Sequence, residues 1–363
     1  MNDFNCTLMP ENTSTSFSQS FTTSNISDTL PPMPFNEVTA VIYTIVFIVG
    51  FLSNTIAIYV LARYNKMKSV TNIYILNLAV ADELYILGIP FIGTNNTLSY
   101  WPYGNFLCKV CMTSDGMSQF ASTFCLTLMS IDRFFAVAYP IRSAKWRKPQ
   151  VAKIFSGLVW VVSFLMVLPL TIFSKVQENF NTCNISWPEP IKYWTITFIL
   201  YTSILGFFGP LVVISLCYLL IVIKMKSAGV RAGLTKRRKS ERKVTRMVLI
   251  IVSVFVLCWL PFYTTNIVNL SYVIPETKTT AAIYFSLVIL THVNSCANPF
   301  LYGLLSDNLK QSFEKVLCFH KPNSVFTADT PTTRQKSSKI VEMEVITNPD
   351  REPFTPKTVM NGL

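Results

Sequence analysis

Long apolar runs separated by short polar stretches set the pattern of this chain. From Val38 to Ala62 there are 25 consecutive positions without a charged residue, enough to cross a hydrocarbon layer about 30 Å thick with some tilt. Comparable runs follow at 70–96, 105–138, 151–174, 191–223, 244–270 and 280–304. Lipid offers no water to satisfy backbone N–H and C=O groups, so each run is predicted to be helical. The expected fold is an all-α membrane protein, a seven-transmembrane helix bundle over 38–306. Beyond it, 307–318 spaces Leu309, Phe313, Val316 and Leu317 as an amphipathic eighth helix on a membrane surface would. Cys318, beside that helix, is a candidate for palmitoylation.

The ends are of a different kind. Residues 1–37 are rich in Ser, Thr, Asn and Pro and carry the glycosylation sequons of Asn5, Asn12 and Asn25. They are expected to be a disordered, glycosylated segment with no cleavable signal peptide ahead of the first span. Two further sequons, at Asn95 and Asn184, lie toward the same side of the bundle. Residues 319–363 form a Thr/Ser/Pro-rich tail, expected to be disordered, with Thr327, Thr330, Thr332 and Thr333 as candidates for phosphorylation.

Charge fixes the orientation. Residues 1–62 hold no Lys or Arg, against Asp3, Glu11, Asp28 and Glu37, so the amino terminus is expected outside. The first inner connection carries Arg63, Lys66 and Lys68, and the second carries Arg142, Lys145, Arg147, Lys148 and Lys153. Between Lys224 and Arg246 ten basic residues face a single acid, Glu241. The net charge of +12 would suit nucleic acid, but its placement in short connections reads as membrane topology instead. A mean hydropathy of +0.41 with 51% hydrophobic and 14% charged residues rules out an ordinary soluble globule. The two histidines, His292 and His320, build no metal cage, and no catalytic nucleophile and base stand together, which argues against a membrane enzyme. The absence of an internal repeat and of paired broken spans argues against a transporter or channel.

Ionisable groups inside the spans carry the functional signal, because each costs at least about 2.5 kcal/mol on insertion scales. Asp82 lies mid-span, with Ser122, Asn294, Ser295 and Asn298 as candidate partners. Asp115 lies two turns in from Cys108, where a solvated outer cavity would make it an attractor for a cationic ligand group. Gln119, one turn further in, shares its face. Asp132-Arg133 marks the inner end of the same span. Pro261, after Trp259-Leu260, and Pro299, after Asn298, each remove a backbone hydrogen bond and make candidate hinges. Cys108 and Cys183, both on the oxidising side, are expected to form a disulfide, while Cys111, Cys125, Cys217, Cys258 and Cys296 read as packing residues. Cys6 is left over.

The set Asn54, Asp82, Asp132-Arg133-Phe134, Trp160, Cys258-Trp259-Leu260-Pro261 and Asn298-Pro299-Phe300-Leu301-Tyr302 resembles the rhodopsin-like receptor family, motif by motif along the helices. Within it, Ala81-Asp82-Glu83-Leu84, Phe124-Cys125-Leu126-Thr127, Ser143-Ala144-Lys145-Trp146, Lys243-Val244-Thr245-Arg246-Met247 and Asn294-Ser295-Cys296-Ala297-Asn298-Pro299 resemble the somatostatin receptors. These matches argue against opioid, galanin and melanin-concentrating-hormone receptors. The resemblance implies a plasma-membrane receptor for an extracellular cationic peptide, coupled to a heterotrimeric inhibitory G protein that lowers cyclic AMP. It implies ligand contacts at Asp115, Gln119 and Asn266, with Phe262, Tyr263 and His292 beside them. It also implies an allosteric sodium ion, the one cofactor-like partner expected, at Asp82, Ser122, Asn294 and Asn298, and a G-protein switch at Asp132, Arg133, Trp259 and Tyr302. Two departures stand out: Phe134 replaces the usual Tyr, and His292-Val293 stands where Tyr-Ala is usual, so His292 is expected to bear on selectivity and, if exposed to the cavity, on pH response.

Overall fold

The computed structural model describes residues 34–63, 69–98, 100–177, 181–228, 236–272, 274–275, 277–305 and 307–317. Among them, seven helical segments are long and apolar enough to cross a membrane: Val38–Arg63, Val70–Asn95, Gly104–Ala138, Pro149–Phe173, Ile191–Met225, Arg242–Ser271 and Thr279–Leu304. The sequons of Asn5, Asn12 and Asn25, the tail and Cys318 lie outside the described residues.

Helix α1 (Pro34–Arg63) begins four residues before the first predicted span, with Pro34 at its start, where a missing N–H costs nothing. Helices α2 (Val70–Leu87) and α3 (Ile89–Leu98) make one span interrupted at Gly88. Pro90 lacks the N–H that would carry the ladder through. Helix α4 (Gly104–Ala138) packs against all its principal neighbours, and a single turn, α5 (Pro140–Ser143), follows it. Helix α6 (Pro149–Phe173) opens with Pro149 and leads into an antiparallel hairpin of β1 (Ser174–Val176) and β2 (Cys183–Ile185), in which Val176 pairs with Cys183.

The fifth span is not one regular helix. Helix α7 (Ile191–Ser203) passes into a π turn at Ile204–Phe208 before α8 (Gly209–Ala228) resumes. A side-chain carbon on Gly206 would come within 3.2 Å of the Phe120 ring and the Tyr263 hydroxyl, so the glycine admits this close approach. Helix α9 (Lys236–Ser271) starts inside the predicted third inner loop, and α10 (Lys278–Leu305) and α11 (Asp307–Leu317) complete the order. Leu309 of α11 is buried, and Phe313 packs beside it at the bundle's edge.

The polarity of the bundle is inverted relative to a soluble protein. Val41, Ile45, Ile48 and Leu52 form an exposed apolar stripe on α1, as do Ile154, Leu158, Val161 and Leu165 on α6. Asn54, Asp82, Gln119, Thr123, Ser130, Asn294 and Asn298 are buried. Polar side chains then tie the helices together, since an unsatisfied group in hydrocarbon costs several kcal/mol. Trp160 Nε1 donates to Asn77 Oδ1 at 2.9 Å, joining α6 to α2, and Asn54 Nδ2 donates to the Ser295 carbonyl at 3.2 Å, joining α1 to α10.

Candidate functional site: an outer pocket, a mid-span polar cluster and an inner latch

The outer region is roofed by the hairpin. Cys183 is bonded to Cys108 with their Cα atoms 5.5 Å apart, as expected from the sequence. Lys109 Nζ donates to the Thr171 and Ile172 carbonyls at 2.9 and 2.8 Å, and the Thr113 and Thr171 hydroxyls are 2.8 Å apart. A lysine at this depth thus satisfies the orphan carbonyls ending α6.

Below the roof, Asp115 is half-buried on α4, near enough to Tyr85 and Tyr263 to interact electrostatically with both. Gln119 is buried, and its side-chain amide donates to the Tyr263 hydroxyl. Tyr263 stacks on Phe207 with centroids 4.8 Å apart, and the π turn brings Phe207 inward for that contact. Gln119 and Tyr263 therefore close the floor beneath Asp115. Asn266 is half-buried on α9; its amide donates to the Phe262 carbonyl at 3.0 Å, and it also engages the Tyr284 hydroxyl. Phe262 stands edge-on to Trp259 at 6.0 Å.

Of the two roles open to His292, a ring exposed to the cavity or a hydrogen-bonded packing residue, the fold gives it the second. Its ring is 1% exposed, stacks on Tyr85 at 4.4 Å and makes a 2.8 Å contact from Nδ1 to the Val288 carbonyl. It is a packing residue among α1, α2 and α10, not a ring open to the cavity. Tyr85, which the sequence did not single out, covers it and is hydrogen-bonded to Thr291 at 2.8 Å. The sequon residues Asn95 and Asn184 are buried as well. Asn95 is 5% exposed and Asn184, in the middle of β2, is 4% exposed with its amide donating to Thr182.

Mid-span, Asn298 Nδ2 donates to Asp82 Oδ2 at 2.8 Å, and Ser295 is a second hydrogen-bonding neighbour of the carboxylate. Ser122 and Asn294 are buried as well but make no hydrogen bond to Asp82 among the described residues. The side-chain oxygens of Asn54, Asn294, Asn298 and Tyr302 are buried without a hydrogen-bond partner. Carboxylate and amide oxygens of this kind are hard donors, the type that suits an alkali or alkaline-earth cation. Among the described residues no group of three or more His, Cys, Asp or Glu stands ready for a transition metal.

At the inner end of α4, Asp132 is shared by two guanidinium groups. Arg133 donates to it through both Nε and a terminal nitrogen and reaches across to Thr71 Oγ1 at 2.9 Å. Arg147, from the second inner connection, donates through Nε at 2.7 Å and through a terminal nitrogen at 3.2 Å. Arg147 read in the sequence as a topology marker; nothing in its spacing announces that the connection folds back onto Asp132.

A helix bundle with this inverted polarity, a disulfide-anchored outer roof and an Asp-Arg latch at its inner end has the organisation of a seven-transmembrane receptor. Residues 53–302 match the model of the 7 transmembrane receptor (rhodopsin family), and the chain belongs to that family, in its somatostatin receptor branch. It is 58% identical over 299 residues to somatostatin receptor type 5 of Rattus norvegicus, covering 82% of each chain. It is 47% identical over 342 residues to the type 2 receptor of Mus musculus, covering 93% of this chain and 90% of that one. With the type 3 receptor of Homo sapiens the identity is 48% over 332 residues, 90% of this chain and 79% of that one. The protein is accordingly a multi-pass membrane receptor and not an enzyme.

Proposed function

We propose that this receptor binds an extracellular cationic peptide of the somatostatin type at the plasma membrane, with its amino terminus outside. In this reading it couples to an inhibitory G protein and lowers cyclic AMP. The observation that carries it is the placement of Asp115 above the Gln119–Tyr263 floor and below the hairpin, in a chain 58% identical to a receptor that bears the somatostatin name. A ligand ammonium meets the Asp115 carboxylate, Asn266 offers a polar wall, and Phe262 and Tyr263 give an aromatic side chain an apolar seat. Binding there favours the state in which α9, weakened at Pro261, swings outward and frees Arg133 for the G protein's carboxyl-terminal helix. The tail serves receptor kinases and arrestin, and Cys318 serves as a lipid anchor.

Losing one partner of a desolvated charge pair costs about 2–5 kcal/mol, so Asp115→Asn lowers somatostatin affinity by one to several decades. Saturation binding on membranes checks this; equal affinity in the variant at equal surface expression defeats the assignment.

The Asp82 cluster fits sodium by its oxygen chemistry. Asp82 supplies the charge, Asn298 holds the carboxylate, and the oxygens of Asn294 and Ser122 are the remaining candidate donors. Purified receptor in detergent should unfold at a higher temperature in sodium than in a bulky organic cation at equal ionic strength. Asp82→Ala should abolish that difference. A sodium effect that survives the substitution places the ion elsewhere.

A further inference from the structure

A small outer cleft is lined by two cysteines, Cys111 and Cys183, and Cys183 is the one bonded to Cys108. Cys111 is half-buried with a free thiol, one helical turn beyond Cys108 on α4, and it lines the same cleft as Cys183, Trp101 and Met112. It packs against the cluster that holds both bonded cysteines. Residues three apart on a helix share a face, so Cys183, carried on the short strand β2, has two cysteines on α4 within one turn of each other. The sequence pattern alone gives Cys111 the role of an apolar packing residue. Its place in the cleft gives it chemistry.

We propose that Cys183 can be held by either Cys108 or Cys111, and that the two linkages interconvert by thiol–disulfide exchange. The Cys111 thiolate attacks Sγ of Cys183; the Cys111–Cys183 bond forms as the Cys108–Cys183 bond breaks. The electron pair leaves on Cys108, which takes the proton that Cys111 gave up, so no oxidant or reductant is consumed. Exchange moves the anchor of the hairpin three residues along α4, about 4.5 Å at the helical rise, toward Asp115, which lies four residues beyond Cys111 on the same face. The roof is then drawn down over the ligand pocket. The exchange rests on the outward, oxidising placement of this end of the bundle proposed above, but its readout is a covalent linkage and does not depend on which ligand the receptor takes.

Peptide mapping distinguishes the two linkages. The full-length receptor, purified in detergent, is incubated in a mixed reduced and oxidised glutathione buffer, alkylated, denatured and cleaved with trypsin, which cuts after Lys109 and so separates Cys108 from Cys111. The expected result is a Cys111–Cys183 peptide pair alongside Cys108–Cys183, and its loss in Cys111→Ala. In Cys108→Ala, Cys111–Cys183 becomes the linkage of the hairpin, and it disappears in the Cys108→Ala/Cys111→Ala double variant. The proposal is overturned if the unsubstituted receptor under glutathione yields Cys108–Cys183 alone with Cys111 alkylated, or if displaced Cys183 is found joined to Cys6. Because the unsubstituted chain carries this comparison, the test holds even where Cys108→Ala does not fold.

Discussion

Asp132 gathers two guanidinium groups at the inner end of α4. It accepts hydrogen bonds from both Arg133 and Arg147, and Arg133 is held further by Thr71. Arg147 is partly solvated, with its side chain 21% exposed, which limits its contribution to about 0.2–1 kcal/mol. Arg147→Ala is therefore expected to raise basal G-protein activation modestly, by about two- to five-fold at the upper half of that range. Guanine-nucleotide exchange on a purified G protein, measured without ligand, checks it; basal exchange equal to or below that of the parent receptor contradicts the latch. At this scale legibility follows cost. Asp82, Asp115 and Asp132 stand out in the sequence because a charge within an apolar run demands a reason. Arg147 does not stand out among its basic neighbours, nor Tyr85 among the aromatics, because their roles arise only from a tertiary approach. His292 shows the converse: a residue conspicuous in the sequence that the fold seals between Tyr85 and the Val288 carbonyl.

Among the elements, the seven spans are legible almost to the residue, since hydrocarbon thickness sets their length and apolar runs betray them. The interruptions are not. The break at Gly88 and the π turn at Ile204–Phe208 are each a few residues of altered hydrogen bonding inside an unbroken hydropathy pattern, and the hairpin of Ser174–Val176 with Cys183–Ile185 forms in a polar connection too short and irregular to announce strands. They nevertheless shape the outer pocket: the π turn turns Phe207 onto Tyr263, and the hairpin roofs Asp115. The seam between α1, α2 and α10 likewise depends on a residue the hydropathy pattern ignores. A side-chain carbon on Gly50 would lie 2.7 Å from Ile86 Cδ1 and 2.8 Å from Cys296 Sγ. Gly50→Ala forces the Ile86 and Cys296 side chains, or the helices that carry them, to shift, and overpacking of this kind costs about 1–3 kcal/mol. A lowered unfolding temperature in detergent is the expected outcome, whereas an unchanged one shows that the seam yields freely.

For the molecule as a whole, the three polar levels are connected through α4, which carries Asp115 and Gln119 outside, Ser122 mid-span and Asp132-Arg133 inside. Trp259 lies between them on α9, in contact with Tyr85, Phe255, Phe262 and Tyr263. A ligand that repacks this aromatic cluster has a continuous path of packed side chains to the inner face, and Pro261 and Pro299 supply helices able to bend. The outer carboxylate and the inner latch thereby share one proposed purpose, transmission of a peptide signal to an inhibitory G protein. The most direct test is cyclic AMP in forskolin-stimulated cells expressing this receptor and titrated with somatostatin, with Asp115→Asn and pertussis toxin as controls. A saturable fall that both controls abolish is the predicted result. No fall despite confirmed surface expression, or a fall that survives Asp115→Asn unchanged, contradicts the account.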